Sequence, residues 1–372
     1  MSGAVSYPNH HKPAHIRPIK PHGIHEIKEH KIHHGDCLAT LDKIQSKSVD
    51  VIITSPPYNI NLSYNSYNDN KTELEYLEWM EHLFKRLKRV LKDDGSFFLN
   101  ISGSSRQPWL PFLITTRLKE YFELQNHIVW VKSIAVDRET SGHFKPISGA
   151  RFTHHNHEHI FHLTKKGDVK LDRLSIGVPF ADKSNINRFG HKADIRCRGN
   201  TWFIPYRTVN SKAKKFSHPG TFPIELPLWC IFLHGKKNPT VLDPFLGAGS
   251  TLVAADFSGG KGIGIEIDDT YVKTAVQRLK DSIMTSKKVT LNKEEMDLLL
   301  LQDPETRKDG GFQSLLVSLQ ERLNKTTGDL TLEDSDLERI PKYAFNYNQG
   351  GWEERLKDIF GRVLGADLGK TS

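Results

Sequence analysis

Cysteine is scarce in this chain, and what there is stands alone. Cys37, Cys197 and Cys230 lie far apart, which argues against a disulfide framework or a thiolate metal site and suits a reducing compartment. Long apolar runs are missing as well. No stretch approaches the roughly 20 residues of a membrane span, and the first residues hold no apolar leader core, so a cytoplasmic protein without membrane contact is expected. An acidic excess is also lacking: 52 Lys and Arg against 44 Asp and Glu leave a net charge of +8 over 372 residues. A basic surplus points to a polyanionic partner, most simply nucleic acid, although charge alone fits a merely basic protein equally well.

What is present falls into blocks. Residues 1–30 carry many His, Pro and Lys with little periodicity and read as a flexible basic arm. Their histidines lack regular ligand spacing, so no metal site is expected. From residue 31 the pattern turns globular. "KIHHGDCL", "SVDVIITS", "SFFLNI", "QNHIVWVKSI" and "HEHIFHLTKK" read as strands. "TELEYLEWMEHLFKRLKRVLK" is amphipathic, with Leu74, Leu77, Leu83, Phe84, Leu87, Val90 and Leu91 at helical spacing, and "LPFLITTRLKEYF" is a second helix. Residues 166–217 are polar, basic and irregular and read as an insert outside the core sheet. Strand–helix alternation resumes over 218–286, and residues 287–372 form a small helical C-terminal module. Alternation of this kind predicts an α/β fold, a doubly wound and mostly parallel sheet.

In such sheets ligands bind off the carboxyl ends of the strands. Two strand ends carry unusual residues. In "LDPFLGAGSTLVAA" a strand stops at Asp243, and Gly247 and Gly249 let a ligand approach the backbone where a helix opens. No Lys precedes Ser250 and Thr251, which excludes a phosphate-binding P-loop. Leu252 occupies the place of the third dinucleotide glycine. Glu266 closes the next strand about 20 residues on, an offset that suits ribose hydroxyls. The pocket therefore reads as one for an adenosine-like ligand without a pyrophosphate, with Asp243 placed to meet a cationic amino end. A purely structural glycine turn is the competing reading. The other strand end is "VIITSPPYNI". Two prolines stiffen the loop, Ser55 supplies a hydroxyl acceptor and Tyr58 a flat face. Together they suit a planar group with an amine at its edge, although a plain Pro-Pro turn would look the same.

These segments resemble the beta-class DNA amino-methyltransferases, enzymes that use S-adenosylmethionine (AdoMet) to make N4-methylcytosine or N6-methyladenine. "TSPPY" looks like their catalytic motif, "DPFLGAGST" like their cofactor motif and "HPGTFPIELPLWCI" like the segment preceding it. The motif order is that of the beta class, and "HEHIFHLTK" and "RGNTWFIPYRT" also match. The resemblance covers residues 30–285 and implies a Rossmann-like methyltransferase sheet divided into a catalytic half (31–165), a target-recognition insert (166–217) and an AdoMet half (218–286). It further implies that Ser55 and the Pro56 carbonyl accept the two N–H bonds of the amine, in the rigid loop completed by Pro57, while Tyr58 stacks on the base. Phe245, Gly247, Gly249, Ser250 and Thr251 would surround the methionine part, Glu266 the ribose, Asp36 and Cys37 the adenine, and Thr221 and Phe222 the methionine end. Many relatives carry Gln-Lys where this chain has Thr221 and Phe222, a departure from the pattern.

Direct attack on the methyl is implied, because no cysteine lies in the catalytic motif. The expected partner is double-stranded DNA, entered by base flipping. Ser before Pro-Pro-Tyr favours cytosine N4 in this family, with adenine N6 as the alternative. An RNA or protein amine is a more distant one. A separately acting cognate restriction endonuclease and a homodimer are both compatible with the resemblance. Arg188, Phe189, Lys192, Arg196, Arg198, Trp202, Tyr206 and Arg207 of the insert are candidates for DNA contact or for packing. "NLSYNSYNDNK" reads as a loop closing over substrate.

Overall fold

A computed structural model describes residues 23–59, 70–104, 107–136, 139–142, 144, 150–187, 194–205, 221–284, 287–309, 311–345 and 352–364. Its centre is a nine-stranded sheet. Five strands run parallel side by side: β2 (His30–His34), β11 (Lys261–Glu266), β10 (Thr240–Asp243), β3 (Val49–Thr54) and β4 (Leu91–Ile101). Beyond β4 lie antiparallel β8 (His157–Thr164), then β5 (Glu123–Val131) and β9 (Thr201–Phe203). β1 (Ile24–Ile27) closes the other edge antiparallel to β2. All six residues of β3 are buried, as expected of a parallel strand covered on both faces.

Helices cover both faces. One face holds α1 (Cys37–Leu41), α2 (Glu73–Val90) and α3 (Leu110–Leu118), packed on Ile52, Phe97, Leu99, Phe161 and Leu163. The other holds α4 (Glu225–His234) and α5 (Ser250–Phe257), packed on Val51, Ile53, Phe98, Ile128 and Ile160. The alternation of neighbouring residues between these two clusters is the period-two geometry of a strand. Helix α6 (Asp269–Met284) packs beside α5 and β2 through Val272, Ala275 and Leu279. Helix α2 begins at a capping box, in which the Thr72 hydroxyl accepts from the Glu75 amide and the Glu75 carboxylate accepts from the Thr72 amide. It buries Tyr76, Leu77, Met80, Leu83, Phe84, Leu87 and Val90. Each fully buried side chain of this size contributes roughly 1.5–3 kcal/mol.

Several expectations need correction. Leu74 is 60% exposed, and Leu91 opens β4; Tyr76 and Met80 take those places in the buried stripe. Ile24–Ile27 form the edge strand β1, a turn follows and His30 opens β2, so these residues are not an arm; the first 22 residues lie outside the described set. The insert is not wholly outside the sheet, because β9 pairs with β5 and Trp202 is fully buried. A polar, Arg-rich neighbourhood hid a three-residue strand whose one inward side chain is a tryptophan. The C-terminal module is not all helical either. It has a two-stranded ribbon, β12 (Lys287–Thr290) with β13 (Asp329–Leu332), beneath α7 (Lys293–Leu300), α8 (Gly311–Arg322), α9 (Asp334–Phe345) and α10 (Trp352–Leu364), around its own core of Leu315, Leu319, Ile340, Ile359 and Phe360. A last pair, β6 (Ser133–Val136) and β7 (Glu139–Gly142), makes a separate hairpin.

Candidate active site

The two unusual strand ends are neighbours. β3 and β10 pair in parallel, with Val51 opposite Val241 and Ile52 opposite Leu242. This register brings Thr54 to Asp243, 189 residues away in the chain, and the Thr54 hydroxyl donates to Asp243 Oδ1 at 2.8 Å. The Thr251 hydroxyl donates to Oδ2 at 2.6 Å, and the Phe245 amide to Oδ1 at 3.0 Å. Asp243 is 1% exposed. Burial pushes its carboxyl up to about 6, against the Thr251 and Thr54 hydroxyls that favour the ionised form. Asp243 is thus a cross-brace between the loops, and its three protein donors leave little of it for a ligand. Thr251 is fully buried, and its hydroxyl is spent on Asp243.

The glycine turn is shaped from behind. Gly247 (φ 52°) and Gly249 (φ 89°) are left-handed, and a Cβ on Gly249 would meet Ala275 at 3.0 Å. The Glu266 carboxylate accepts from the Gly247 amide at 2.8 Å and from the Ile267 and Asp268 amides at 2.9 Å each. Burial raises it to about 7 in opposition to those donors. Arg278 of α6 donates to the Ala248 carbonyl at 2.6 Å. Helix α5 then starts at Gly249 with no side-chain cap, which directs first-turn N–H groups at whatever occupies the turn. The Ser250 hydroxyl instead donates to the Phe222 carbonyl at 3.0 Å, docking the half-buried Thr221–Phe222 segment onto the turn. The Phe245 ring lies 5.5 Å from that of Trp79.

On the far side of Glu266 stands the end of β2. The Gly35 amide donates to the Glu266 carbonyl at 2.8 Å, and Asp36 caps α1 with one oxygen, accepting from Ala39. Cys37 is buried, and that burial holds its thiol well above the ordinary range, so it serves as packing and not as a nucleophile. Asp36 and Glu266 each keep an acceptor position beyond those used by backbone amides. An amine-bearing ring with ribose hydroxyls suits that pair, and a carboxylate suits the uncapped helix. The residues present therefore fit an adenosine-plus-amino-acid ligand.

The Ser-Pro-Pro-Tyr loop is built differently. The Tyr76 hydroxyl donates to the Pro57 carbonyl at 2.6 Å, while among the described residues none donates to that of Pro56. Asn59, left-handed at φ 54°, exchanges two hydrogen bonds with the Lys71 backbone, 2.7 and 2.8 Å. The stem of the following segment is thereby tied, although residues 60–69 lie outside the described set. The Ser55 hydroxyl and the Tyr58 hydroxyl are 2.8 Å apart. Tyr58 also donates to Glu158 at 3.0 Å and accepts from the Asn100 side-chain amide at 2.9 Å. Asn100 donates to Glu158 at 2.8 Å, and Lys132 pairs with the other Glu158 oxygen at 2.9 Å. Asn100 Oδ1 is buried with no hydrogen-bond partner among the described residues.

Every predicted catalytic and cofactor residue therefore gathers around the carboxyl ends of β2, β11, β10 and β3. Sequence reasoning missed Thr54, Trp79, Asn100, Lys132 and Glu158. The available signal was an acid in "HEHIF", on a strand whose next inward positions, Ile160 and His162, are buried. Of the insert, Arg198 stacks on Trp229 with the guanidinium 4.0 Å from the ring and donates to the Ile176 carbonyl. It and Trp202 are packing residues, whereas Arg196 is exposed. Arg188, Phe189, Lys192, Tyr206 and Arg207 lie outside the described residues. Among the described residues no group of His, Cys, Asp and Glu is arranged to hold a metal, and no helix is long and apolar enough to cross a membrane.

The chain is similar to known DNA methyltransferases. The chain is 29% identical over 253 residues to a DNA adenine methyltransferase of Escherichia coli strain K12, YhdJ, covering 66% of this chain and 81% of that one. It is 29% identical over 268 residues to the type II methyltransferase M.BglII of Bacillus subtilis, covering 68% and 70%. The fold is that of the PvuII DNA methyltransferase (cytosine-N4-specific), with a TM-score of 0.50 at 20% identity over 68% of this chain and 86% of that one. The DNA methylase family of N6 and N4 amino-methyltransferases matches residues 49–277, from the first residue of β3 into α6 and so across both strand ends, and the chain belongs to that family.

Proposed function

We propose that this protein transfers a methyl group from AdoMet to the exocyclic N4 amine of cytosine in duplex DNA. One observation carries the reading: the Ser-Pro-Pro-Tyr loop and the glycine turn end adjacent strands and are braced together by Thr54 and Asp243. AdoMet supplies an electrophilic methyl. The protein holds the weakly nucleophilic amine in line with it, since orientation is worth several kcal/mol of barrier. Ser55 and the Pro56 carbonyl accept the amine hydrogens, and the half-buried ring of Tyr58 stacks on the base. Asp36 and Glu266 hold the adenosine part, and the Phe245–Thr251 turn holds the amino-acid part. A base reaches this pocket only by leaving the duplex.

Ser55 favours cytosine, because its hydroxyl accepts a hydrogen bond without a carboxylate's charge. The adenine-N6 reading is favoured by the name of the Escherichia coli relative. A restriction–modification context is suggested by the relative named as a type II methyltransferase. The test is incubation of the purified protein with duplex DNA and methyl-labelled AdoMet, then nucleoside mass spectrometry. N4-methylcytosine supports the proposal, N6-methyladenine replaces it with the second reading, and absence of label on DNA rejects both.

A further inference from the structure

Among the described residues, the hydrogen bonds behind Ser55 have one consistent direction. Glu158 Oε1 is paired with the Lys132 ammonium at 2.9 Å, so its carboxylate accepts on Oε2 as well. The single Tyr58 O–H proton goes to Oε2 at 3.0 Å, closer than the Asn100 carbonyl at 3.4 Å. The Asn100 amide nitrogen sits 2.9 Å from the Tyr58 oxygen and 2.8 Å from the same carboxylate, and it spends one hydrogen on each. Only an acceptor site on Tyr58 then remains toward Ser55, so the Ser55 hydroxyl is the donor of their 2.8 Å bond. This leaves Ser55 an acceptor toward a ligand, with one long 3.5 Å contact from the Asn100 amide. Asn100 secures the arrangement at the expense of its side-chain oxygen Oδ1, which is buried and unpartnered among the described residues.

We infer that Ser55, Tyr58 and Glu158 form a directed proton path that takes the proton released by the substrate amine during methyl transfer. The inference rests on the amine-methylation reading above. The amine nitrogen gains a bond to the methyl carbon while the carbon–sulfur bond breaks and its electron pair returns to sulfur. Nitrogen would be left cationic unless one of its N–H protons departs. That proton passes to Ser55 Oγ, the Ser55 proton passes to Tyr58 Oη, and the Tyr58 proton passes to Glu158 Oε2. The outcome is a neutral methylated amine, a neutral thioether and a protonated Glu158. Glu158 is 14% exposed and Lys132 23%, so the acid returns its proton to solvent beside the ammonium. Tyr58 and Glu158 act through Ser55 and are positioning residues for it. They give the serine a fixed polarity that an isolated hydroxyl lacks.

Single-turnover methylation by wild type, Tyr58→Phe and Glu158→Gln, each with calorimetric AdoMet affinity, tests the path. Both variants are expected to slow chemistry about 100-fold, the ordinary worth of positioned proton transfer, with AdoMet affinity kept within about twofold. The shape of the wild-type pH–rate profile should change in Glu158→Gln. Without any turnover, the ζ-carbon NMR signal of labelled Tyr58 should move on acid titration of the free protein and stay still in Glu158→Gln. Variants as fast as wild type, or a slower Glu158→Gln with an unchanged pH profile, overturn the path. If a variant fails to fold, a Tyr58 signal indifferent to acid titration of the wild type overturns it. A wild type that labels no DNA rejects the functional reading instead, and the NMR result still decides the network.

Discussion

β3 and β10 end side by side and spend their polar groups in opposite ways. At the end of β10, Asp243 and Glu266 turn inward onto protein donors, the Thr251 hydroxyl among those of Asp243; what is left for a ligand is backbone shape and an acceptor position on Glu266. At the end of β3, Ser55 and Tyr58 keep their hydroxyls in a chain running from the loop to Glu158; what they leave is side-chain chemistry. One bond, Thr54 to Asp243, joins the two regimes. The difference shows how one strand-end position presents either a backbone cradle or side-chain hydroxyls, according to which way its oxygens point.

The comparison breaks most sharply at Ser55. Ser55→Ala should reduce methyl transfer by roughly 100- to 1000-fold, the range for losing one positioned polar group at a reacting atom, while AdoMet affinity and thermal stability stay at wild-type levels. A fall in AdoMet affinity of similar size would erase the distinction between the two ends. Asp243→Ala should show the reverse pattern. It strands two buried hydroxyls and an amide, so unfolding in urea should reveal a loss of about 3 kcal/mol, with weakened cofactor binding. Glu266→Gln comes next. Its amide cannot accept from all three backbone N–H groups, so calorimetry should record AdoMet binding weakened about tenfold, about 1.4 kcal/mol, with a smaller change in melting.

The smallest effect belongs to the opposite end of the same sheet, which supplies a control for both. His162 accepts from Asn126 on one ring nitrogen and donates to Ser96 on the other, and Ser96 in turn meets His234. Burial, and then His234, lower His162 to about 3 from 6.5. Its folded value lies below the unfolded one, so its share of stability is complete above pH 6.5 and is lost as pH falls from there toward 3. Between pH 7.5 and 5.5 the unfolding free energy should drop by about 1 kcal/mol for this group, and His162→Gln should flatten the drop. An unchanged slope would mean that the ring is protonated in place.

Much of this could be read in advance from local patterns. The continuous apolar run of β3, the 3–4 spacing of α2 and the glycines before α5 each follow from backbone sterics or from period, which a linear string records. The Ser-Pro-Pro-Tyr loop and the glycine turn were recognisable for the same reason. The misread places depend on partners distant in the chain. Strand β9 looked like loop, because its only strong signal is Trp202 facing a sheet laid down elsewhere. Leu74 fitted the helical stripe but sits on the first turn, where the core does not reach.

The sequence by itself determined most element types, the family and the residues that gather at the strand ends, because propensity, turn chemistry and motif order are local properties. Only the tertiary structure decided what those residues are bonded to. It placed Thr54 against Asp243 and drew Asn100, Glu158 and Lys132 behind Tyr58. The reason is physical: the direction of a hydroxyl proton is set by every donor and acceptor within about 3 Å, and those neighbours arrive from strands 42 to 189 residues away.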